Sequence, residues 1–290
     1  NLPFENAGVL KTTGFELQAK WSDKLSNGFA YSVGVALSDD KAEVLSYPSN
    51  PTNKIGDGVL YKGYTVGDIW GYETGGILQE SDFDGVGPNG KPLYHGAYFK
   101  GGQPYPGYVW YQDLDHDGVI TSGLSTVDDP GDKKVIGNNA PRYRYNITAN
   151  FQYKGFDLDL MFQGVGKRDY WLKDVSSYWG GGAGSWETYN QSWTPERTDA
   201  KFPMYGSGIG SYAQSGYLLD ASYIKLKQVI LGYTFPKALI GKVGLKKLRL
   251  NIAAYNLFTL SDVPKYYDSD YLSDAYPPKR TFSVGIQVGF

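Results

Sequence analysis

Three aspartates at alternate positions form the most specific chemical motif of the sequence. Asp113, Asp115 and Asp117 occupy every second position and are followed at once by a glycine, which suits a sharp turn. This spacing is typical of a calcium-binding loop, because Ca²⁺ takes roughly six to eight hard oxygen ligands. The backbone carbonyl of Val119 and the hydroxyl of Thr121 would be the next ligands. The motif predicts a structural Ca²⁺ that stiffens this loop.

The twelfth position of the motif departs from the calcium-loop pattern. Leu124 stands where such a loop has a bidentate glutamate, and Asp128, Asp129 or Asp132 would have to substitute for it. The other interpretation is an acidic turn without an ion, held by hydrogen bonds from backbone N–H groups to the aspartates. Both interpretations stay open at this point.

Aromatic residues crowd the long connections of the chain. Tyrosine and tryptophan can stack on sugar rings, grip peptides or anchor a protein partner, and they can equally pack one loop against another. The candidates for contact with a ligand or with a covering partner protein are Trp70, Tyr108, Trp110, Tyr170, Trp171 and Trp179.

The sequence gives little support for an enzyme. The chain has no cysteine, which excludes disulfides, thiolate catalysis and zinc–thiolate sites. His95 and His116 lie in separate segments of the chain, and His116 is part of the acidic loop. Asp157 and Asp159 lie on the same face of a predicted strand, and nothing in the sequence indicates a closed cleft around them. The formal net charge of −2 and the absence of a basic run also argue against nucleic acid as a partner.

Seven segments alternate between bulky apolar residues and small or polar ones. This period of two predicts strands with one apolar and one polar face. In the last segment Phe282, Val284 and Ile286 alternate with Ser283 and Gly285. The predicted strands span residues 15–21, 29–37, 143–153, 156–162, 223–235, 248–258 and 281–290, with a bulge near Gln228.

The connections between these strands alternate between short and long. The short ones span residues 22–28, 154–155 and 236–247, whereas the long ones span 38–141, 165–221 and 260–280. Membrane barrels of the outer-membrane type have short periplasmic turns at one end and long extracellular loops at the other. Compact soluble domains rarely contain such long connections. The pattern therefore favours an all-β transmembrane barrel, with outer-membrane lipid against the apolar face.

The polar face carries charges, including Arg144 and Arg249, which cannot face lipid and must line a wet interior. Seven strands cannot enclose such a lumen, because barrels with a channel need roughly 16 to 22 strands. The sequence also opens at Asn1 without an initiator methionine or a signal peptide. We therefore expect the remainder of the barrel to come from sequence outside this chain.

Several motifs, in order along nearly the whole chain, resemble the SusC/RagA family of TonB-dependent outer-membrane transporters. Each motif alone is weakly specific, but their ordered succession is highly specific. They are Pro3-Phe-Glu-Asn-Ala-Gly8, Thr13-Gly-Phe-Glu-Leu17, Tyr64-Thr-Val-Gly-Asp-Ile-Trp-Gly-Tyr72, Gln112-Asp-Leu-Asp-His-Asp-Gly-Val-Ile120, Val135-Ile-Gly-Asn138, Phe156-Asp-Leu-Asp-Leu160, Phe162-Gln-Gly164, the run from Ala221 to Pro236, and Asn256-Leu-Phe258.

The resemblance implies that residues 1–290 are the C-terminal segment of a 22-stranded barrel in the outer membrane of a Gram-negative, Bacteroidetes-type bacterium. It also implies an N-terminal plug that couples to the TonB complex, a SusD-type surface lipoprotein as partner, and an oligosaccharide or a peptide as substrate. The alternative is a surface-exposed or secreted β-rich module for carbohydrate binding or adhesion, without a pore.

Overall fold

The structure is a computed structural model that describes residues 7–171, 189–207, 212–263, 268–272 and 278–290. Strands predominate in these ranges. In chain order they are β1 (Val9–Lys24), β2 (Ala30–Ser46), β3 (Asp68–Tyr72), β4 (Thr74–Ile77), β5 (Phe83–Val86), β6 (Pro92–Tyr94), β7 (Tyr98–Phe99), β8 (Val109–Tyr111), β9 (Val119–Ile120), β10 (Lys133–Asn138), β11 (Arg142–Tyr153), β12 (Phe156–Lys167), β13 (Asp169–Trp171), β14 (Leu218–Asp220), β15 (Tyr223–Thr234), β16 (Lys247–Leu260) and β17 (Thr281–Gly289).

The helical segments of the described ranges are short. They include α1 (Lys237–Ile240) and the 3-10 turns Glu80–Asp82, Ser215–Tyr217 and Gly241–Val243, and residues 189–190 are also helical. No helix in these ranges combines the length and the hydrophobicity that crossing a membrane requires.

Seven long strands form one antiparallel sheet in the order β1-β2-β11-β12-β15-β16-β17. They coincide with the seven predicted strands, and each lies beside its neighbour in the chain. Several extend beyond the predicted bounds; β1, for instance, begins at Val9 rather than at residue 15. Since successive strands run in opposite directions, the three short turns lie at one end of the sheet. The three long connections leave from the other end.

The shortest turn shows how local sequence fixes the register. Lys154 and Gly155 join β11 to β12 with φ angles of 47° and 87°. Two residues with positive φ form the turn whose twist matches that of paired strands. The turn sets Tyr153 opposite Phe156, and the pairing continues to Arg142 opposite Lys167.

The predicted bulge near Gln228 is present. The register between β15 and β16 shifts between Leu226 and Gln228, and Asn256 on the partner strand has a φ of 54°. The register between β12 and β15 shifts at the same place. Because an extra residue reverses the faces of all residues beyond it, the bulge explains the change of phase in the sequence pattern.

The chain divides into two compact units. Residues 13–41, 141–168 and 220–290 form the unit that carries most of the seven-stranded sheet. Residues 1–12, 42–140 and 169–219 form the other unit. In that second unit the long connections have strands of their own, paired as β3 with β10, β4 with β8, β5 with β6, β7 with β9 and β13 with β14.

Aromatic residues build the cores of the second unit. Tyr61 and Tyr64 pack with Val44 and Ile55 in one buried cluster. Tyr72 and Tyr111 pack with Val109 and Ile120 in another. These clusters explain how connections of this length form ordered structure.

Candidate functional site

The polar face of the sheet carries a hydrogen-bonded row across three strands. Register places Asn150 of β11 directly between Ser32 of β2 and Asp159 of β12. The Ser32 hydroxyl donates to the Asn150 side-chain oxygen at 2.9 Å, and the Asn150 amide donates to Asp159. Ser32, Asn150 and Asp159 thus satisfy one another's hydrogen bonds on this face.

A second polar contact crosses a whole strand. The Arg249 guanidinium of β16 forms a bidentate ion pair with Asp157 of β12, with 3.2 Å between Nε and Oδ1. It passes over Gly232 of β15, where a side chain would overlap both partners. Glycine at this position leaves room for the ion pair, because a side chain here would displace Arg249 or Asp157.

Two further ion pairs lie toward the end with the long connections. Asp39 is buried and accepts hydrogen bonds from Nε and Nη2 of Arg142. It also accepts the backbone N–H of Tyr143 at 3.2 Å. Arg144 pairs with Asp40 in a more exposed setting. The sequence pattern placed both arginines on the polar face, but it did not identify their acidic partners on β2.

A buried lysine is a further feature that the sequence analysis missed. Lys225 of β15 lies 2.8 Å from both Asp268 and Asp270, and Lys227 lies 3.2 Å from Asp270. Desolvation raises the pKa of Asp270, but hydrogen bonds from Lys225 and Tyr223 outweigh it and hold that pKa below its usual range. The cluster ties residues 268–270 of the last long connection to the sheet.

The opposite face of the sheet is apolar and uncovered. In β17 the side chains of Phe282, Val284 and Ile286 are 68%, 76% and 68% exposed. A soluble sandwich would bury this stripe against a second sheet. Among the described residues nothing covers it, as a lipid-facing surface requires.

Aromatic residues collect at the end of the sheet with the short turns. The Tyr233 ring contacts those of Phe156 and Phe235, with ring centroids 4.5 and 4.9 Å apart. Trp21 and Phe156 are exposed on the apolar face. Rings in this position form the girdle expected where a membrane barrel meets the lipid headgroups.

The acidic loop has the geometry that its sequence predicted. Carboxylate oxygens of Asp113, Asp115 and Asp117 all lie within 4.8 Å of one another. One oxygen of each accepts a backbone N–H, including that of Gly118 on Asp113 at 2.8 Å. These bonds satisfy the ion-free interpretation as well. The second oxygen of Asp113 is buried and has no hydrogen-bond partner in the described part of the chain.

The electrostatics of this loop are uneven. Partial desolvation raises the pKa of Asp113, but the N–H groups of Gly118 and His116 outweigh it, so the pKa lies below the usual value. The N–H of Asp117 lowers the pKa of Asp115, yet desolvation and neighbouring carboxylates leave that pKa raised.

The remaining predicted ligands differ in their placement. The carboxylate of Asp132 is fully buried and accepts the N–H groups of Leu114 at 2.8 Å and Thr121 at 2.7 Å. Asp132 therefore holds the backbone of the loop, and its carboxylate is not grouped with those of Asp113, Asp115 and Asp117. Val119 lies in β9, and the Thr121 hydroxyl accepts the N–H of Gly123 at 3.2 Å.

The aromatic candidates serve largely to pack the second unit. Trp70 donates from Nε1 to the Tyr61 hydroxyl at 2.8 Å, and the Trp110 ring lies over Gly75. Trp171 is buried, whereas Tyr108 and Tyr170 are half-buried. Trp179 lies outside the described residues. The half-buried rings keep some exposed surface for a ligand or partner.

A sheet with one lipid-type face, one polar face and short turns at a single end defines the wall of a large membrane-spanning β-barrel. Comparison with curated proteins confirms the resemblance to TonB-dependent transporters. The chain is 27% identical over 314 residues to TonB-dependent receptor P3 of Formosa agariphila, with 99% of the chain and 29% of the relative covered. It is 24% identical over 318 residues to TonB-dependent receptor P26 of the same organism, with 100% of the chain and 30% of the relative covered.

Solved structures show the same fold. The RagAB peptide transporter matches with a TM-score of 0.73 at 16% identity, covering 98% of this chain and 29% of that one. The RagAB peptide importer in its open-open state matches with a TM-score of 0.69 at 19% identity, with 98% and 29% covered. No protein-family profile matches the chain. The chain thus spans about three-tenths of the length of the proteins that it resembles.

Proposed function

We propose that this chain is part of the barrel of a SusC-type, TonB-dependent transporter that imports a nutrient across the outer membrane of a Gram-negative, Bacteroidetes-type bacterium. The observation that carries the proposal is the exposed apolar face opposite a polar face across the seven strands. The similarity to TonB-dependent receptors over nearly the whole chain supports it.

The substrate in this proposal is an oligosaccharide or a peptide. The row from Ser32 through Asn150 to Asp159 and the Arg249–Asp157 pair give the inner wall donors, acceptors and both signs of charge. Such a surface accepts the hydroxyls of a sugar as well as the amides and termini of a peptide. The similar solved structures are those of the RagAB peptide transporter and peptide importer, and this supports a peptide as the substrate.

Two protein partners follow from the same proposal. The resemblance to SusC-type proteins supports a SusD-type lipoprotein on the surface, and half-buried loop aromatics such as Tyr108 and Trp110 offer it anchors. The TonB complex would act through a plug encoded outside these residues. Purification of the full-length protein in mild detergent, with mass spectrometry of the co-purified proteins, tests the lipoprotein partner.

Uptake is the decisive measurement for this function. A strain lacking the full-length gene should lose uptake of one class of labelled substrate, either oligosaccharides or peptides, and complementation should restore it. An uncoupler should abolish the restored uptake, because TonB-type import consumes the proton gradient of the inner membrane. Unchanged uptake of both classes in the deletion strain would contradict the proposal.

Detergent dependence separates this function from a secreted or surface-bound carbohydrate-binding or adhesion module. A protein that exposes Phe282, Val284 and Ile286 to lipid should aggregate without detergent. A monodisperse preparation of the full-length protein in plain buffer would favour the module without a pore.

The acidic loop is proposed to hold a structural Ca²⁺. The grouped oxygens of Asp113, Asp115 and Asp117, together with the unpartnered oxygen of Asp113, fit a hard cation. Without a twelfth-position glutamate, we expect a dissociation constant of about 10⁻⁴ to 10⁻³ M, as in extracellular modules. Calorimetric titration of the full-length protein with CaCl₂ should give this value. Asp115→Asn should weaken binding, whereas Asp199→Asn, at an exposed aspartate outside the loop, serves as the matched control.

A further inference from the structure

The third short turn has an unusual distribution of charge. Residues 235–247 contain four lysines, Lys237, Lys242, Lys246 and Lys247, and no acidic residue. All four side chains are exposed, and none forms an ion pair with a described residue. Four unpaired cations within thirteen residues repel one another, so this turn lacks the compensation usual for a solvated surface.

The same turn also exposes apolar side chains. It contains the single turn of α1 and the 3-10 turn Gly241–Val243, which ends at Gly244 with a φ of 75°. Ile240 is buried, but Leu239 and Val243 are 59% and 72% exposed. Exposed leucine and valine beside lysines are typical of segments that lie in a membrane interface.

The other two short turns extend this charge along the same end of the sheet. They add Lys154 and, at the end of β1, Lys24, and Asp23 is the one acidic residue in residues 22–28, 154–155 and 235–247. These six lysines, which we call the basic rim, have a net charge of +5 together with Asp23, in a chain whose net charge is −2. The basic rim is therefore a local feature.

The position of the basic rim identifies its occupant. It lies at the end of the sheet where Phe156, Tyr233 and Phe235 form the aromatic girdle, which marks the depth of the lipid headgroups. Lysines at that depth reach the phosphates of the surrounding leaflet. Clusters of four to eight basic residues at a membrane surface bind anionic lipids.

We infer that the basic rim binds the headgroups of anionic phospholipids in the leaflet at the short-turn end, while Leu239 and Val243 insert among the acyl chains. Binding of this kind would fix the height and tilt of the barrel in its membrane. The inference depends on the barrel spanning a membrane, and it is independent of what the barrel transports.

Lipid retention by the full-length transporter tests this inference. The protein in neutral detergent is mixed with equal amounts of phosphatidylglycerol and phosphatidylcholine, and the retained lipids are counted by native mass spectrometry. We expect phosphatidylglycerol to be retained at least about tenfold over phosphatidylcholine, because each lysine near an anionic surface contributes about fivefold. High salt should reduce this preference in the unaltered protein, since it screens exposed charges.

Two matched variants make the test specific. In the quadruple variant K237Q/K242Q/K246Q/K247Q, the preference for phosphatidylglycerol over phosphatidylcholine should fall at least about tenfold. The control K62Q/K91Q/K100Q/K201Q removes the same charge from exposed lysines of the other unit and should keep the preference.

Three outcomes would overturn the inference. They are equal retention of the two lipids, a preference insensitive to salt, and equal loss in both quadruple variants. Competition by soluble glycerol phosphate as strong as that by the lipid would also overturn it, because the site would then bind a free anion. Substrate uptake is measured separately, so failure of the proposed transport would leave these results unaffected.

Discussion

The ion pair between Asp39 and Arg142 should be the most stabilising of the arginine–aspartate pairs described on the sheet. Only 7% of the Asp39 side chain and 30% of the Arg142 side chain are exposed. The N–H of Tyr143, a residue whose φ of 54° marks a local kink, adds a third donor to Asp39. The perturbation is a double-mutant cycle of Asp39→Asn, Arg142→Gln and the pair of changes together.

The burial of the two partners sets the expected magnitude. Exposed ion pairs contribute about 0.2–1 kcal/mol, whereas removing one partner of a fully buried pair costs about 3–5 kcal/mol. Because Asp39 is buried and Arg142 partly wet, we expect a coupling energy of about 2 kcal/mol. The pair of Arg144 and Asp40, with side chains 45% and 41% exposed, should couple by less than about 1 kcal/mol and is the matched control.

The assay is urea unfolding of the full-length barrel folded in phospholipid vesicles, followed by tyrosine and tryptophan fluorescence. The free energy of unfolding of the four proteins in each cycle yields the coupling energy directly. Equal coupling in the two cycles, or additivity within about 0.3 kcal/mol in the Asp39–Arg142 cycle, would refute the link between burial and strength.

Three other perturbations test separate parts of the structure. Gly155→Val should destabilise the barrel by about 1–3 kcal/mol in urea unfolding, because φ at Gly155 is 87°. Gly28→Ala is the comparison variant: Gly28 also lies in a turn and has a positive φ, but the space around it is open. Asp132→Ala should raise the hydrogen-exchange rates of the Leu114 and Thr121 amides at least about tenfold, since the buried carboxylate accepts both, and unchanged rates would contradict its bracing role. Burial raises the pKa of Tyr72 to about 12, so the stability that the protonated Tyr72 contributes should be lost as the pH rises from about 10 to 12. Tyr72→Phe should reduce this loss of stability at alkaline pH. An identical pH profile for the two proteins would contradict the prediction.

The seven long strands were predictable because each pattern is local. Alternation in residues 281–289 depends only on the pleat of one strand, and a membrane barrel enforces that alternation on every strand. The phase change near Gln228 was visible for the same reason: a bulge moves all later residues to the other face. The grouping of Asp113, Asp115 and Asp117 was also predictable, because the three residues lie within one short turn and their spacing is local.

The partners of long-range contacts were not predictable from one sequence. Lys225 lies among apolar residues of β15, and its neutralisation by Asp268 and Asp270 depends on the course of the last long connection. Trp70 and Trp171 were equal candidates for ligand or partner contact in the sequence, but in the structure Trp70 is half-buried and Trp171 is buried. Local periodicity contains no information on which loop segments meet.

Cysteine scanning of β17 tests the two-faced sheet most directly. The chain has no cysteine of its own, so single cysteines at positions 281–288 of the full-length transporter can be placed in a cysteine-free background and probed in the membrane with a water-soluble maleimide. Cysteines replacing Phe282, Val284, Ile286 and Val288 should react at least about tenfold more slowly than those replacing Thr281, Ser283, Gly285 and Gln287, because a reagent confined to water reaches only the polar face. Uniform labelling along the strand, or the opposite alternation, would contradict the account.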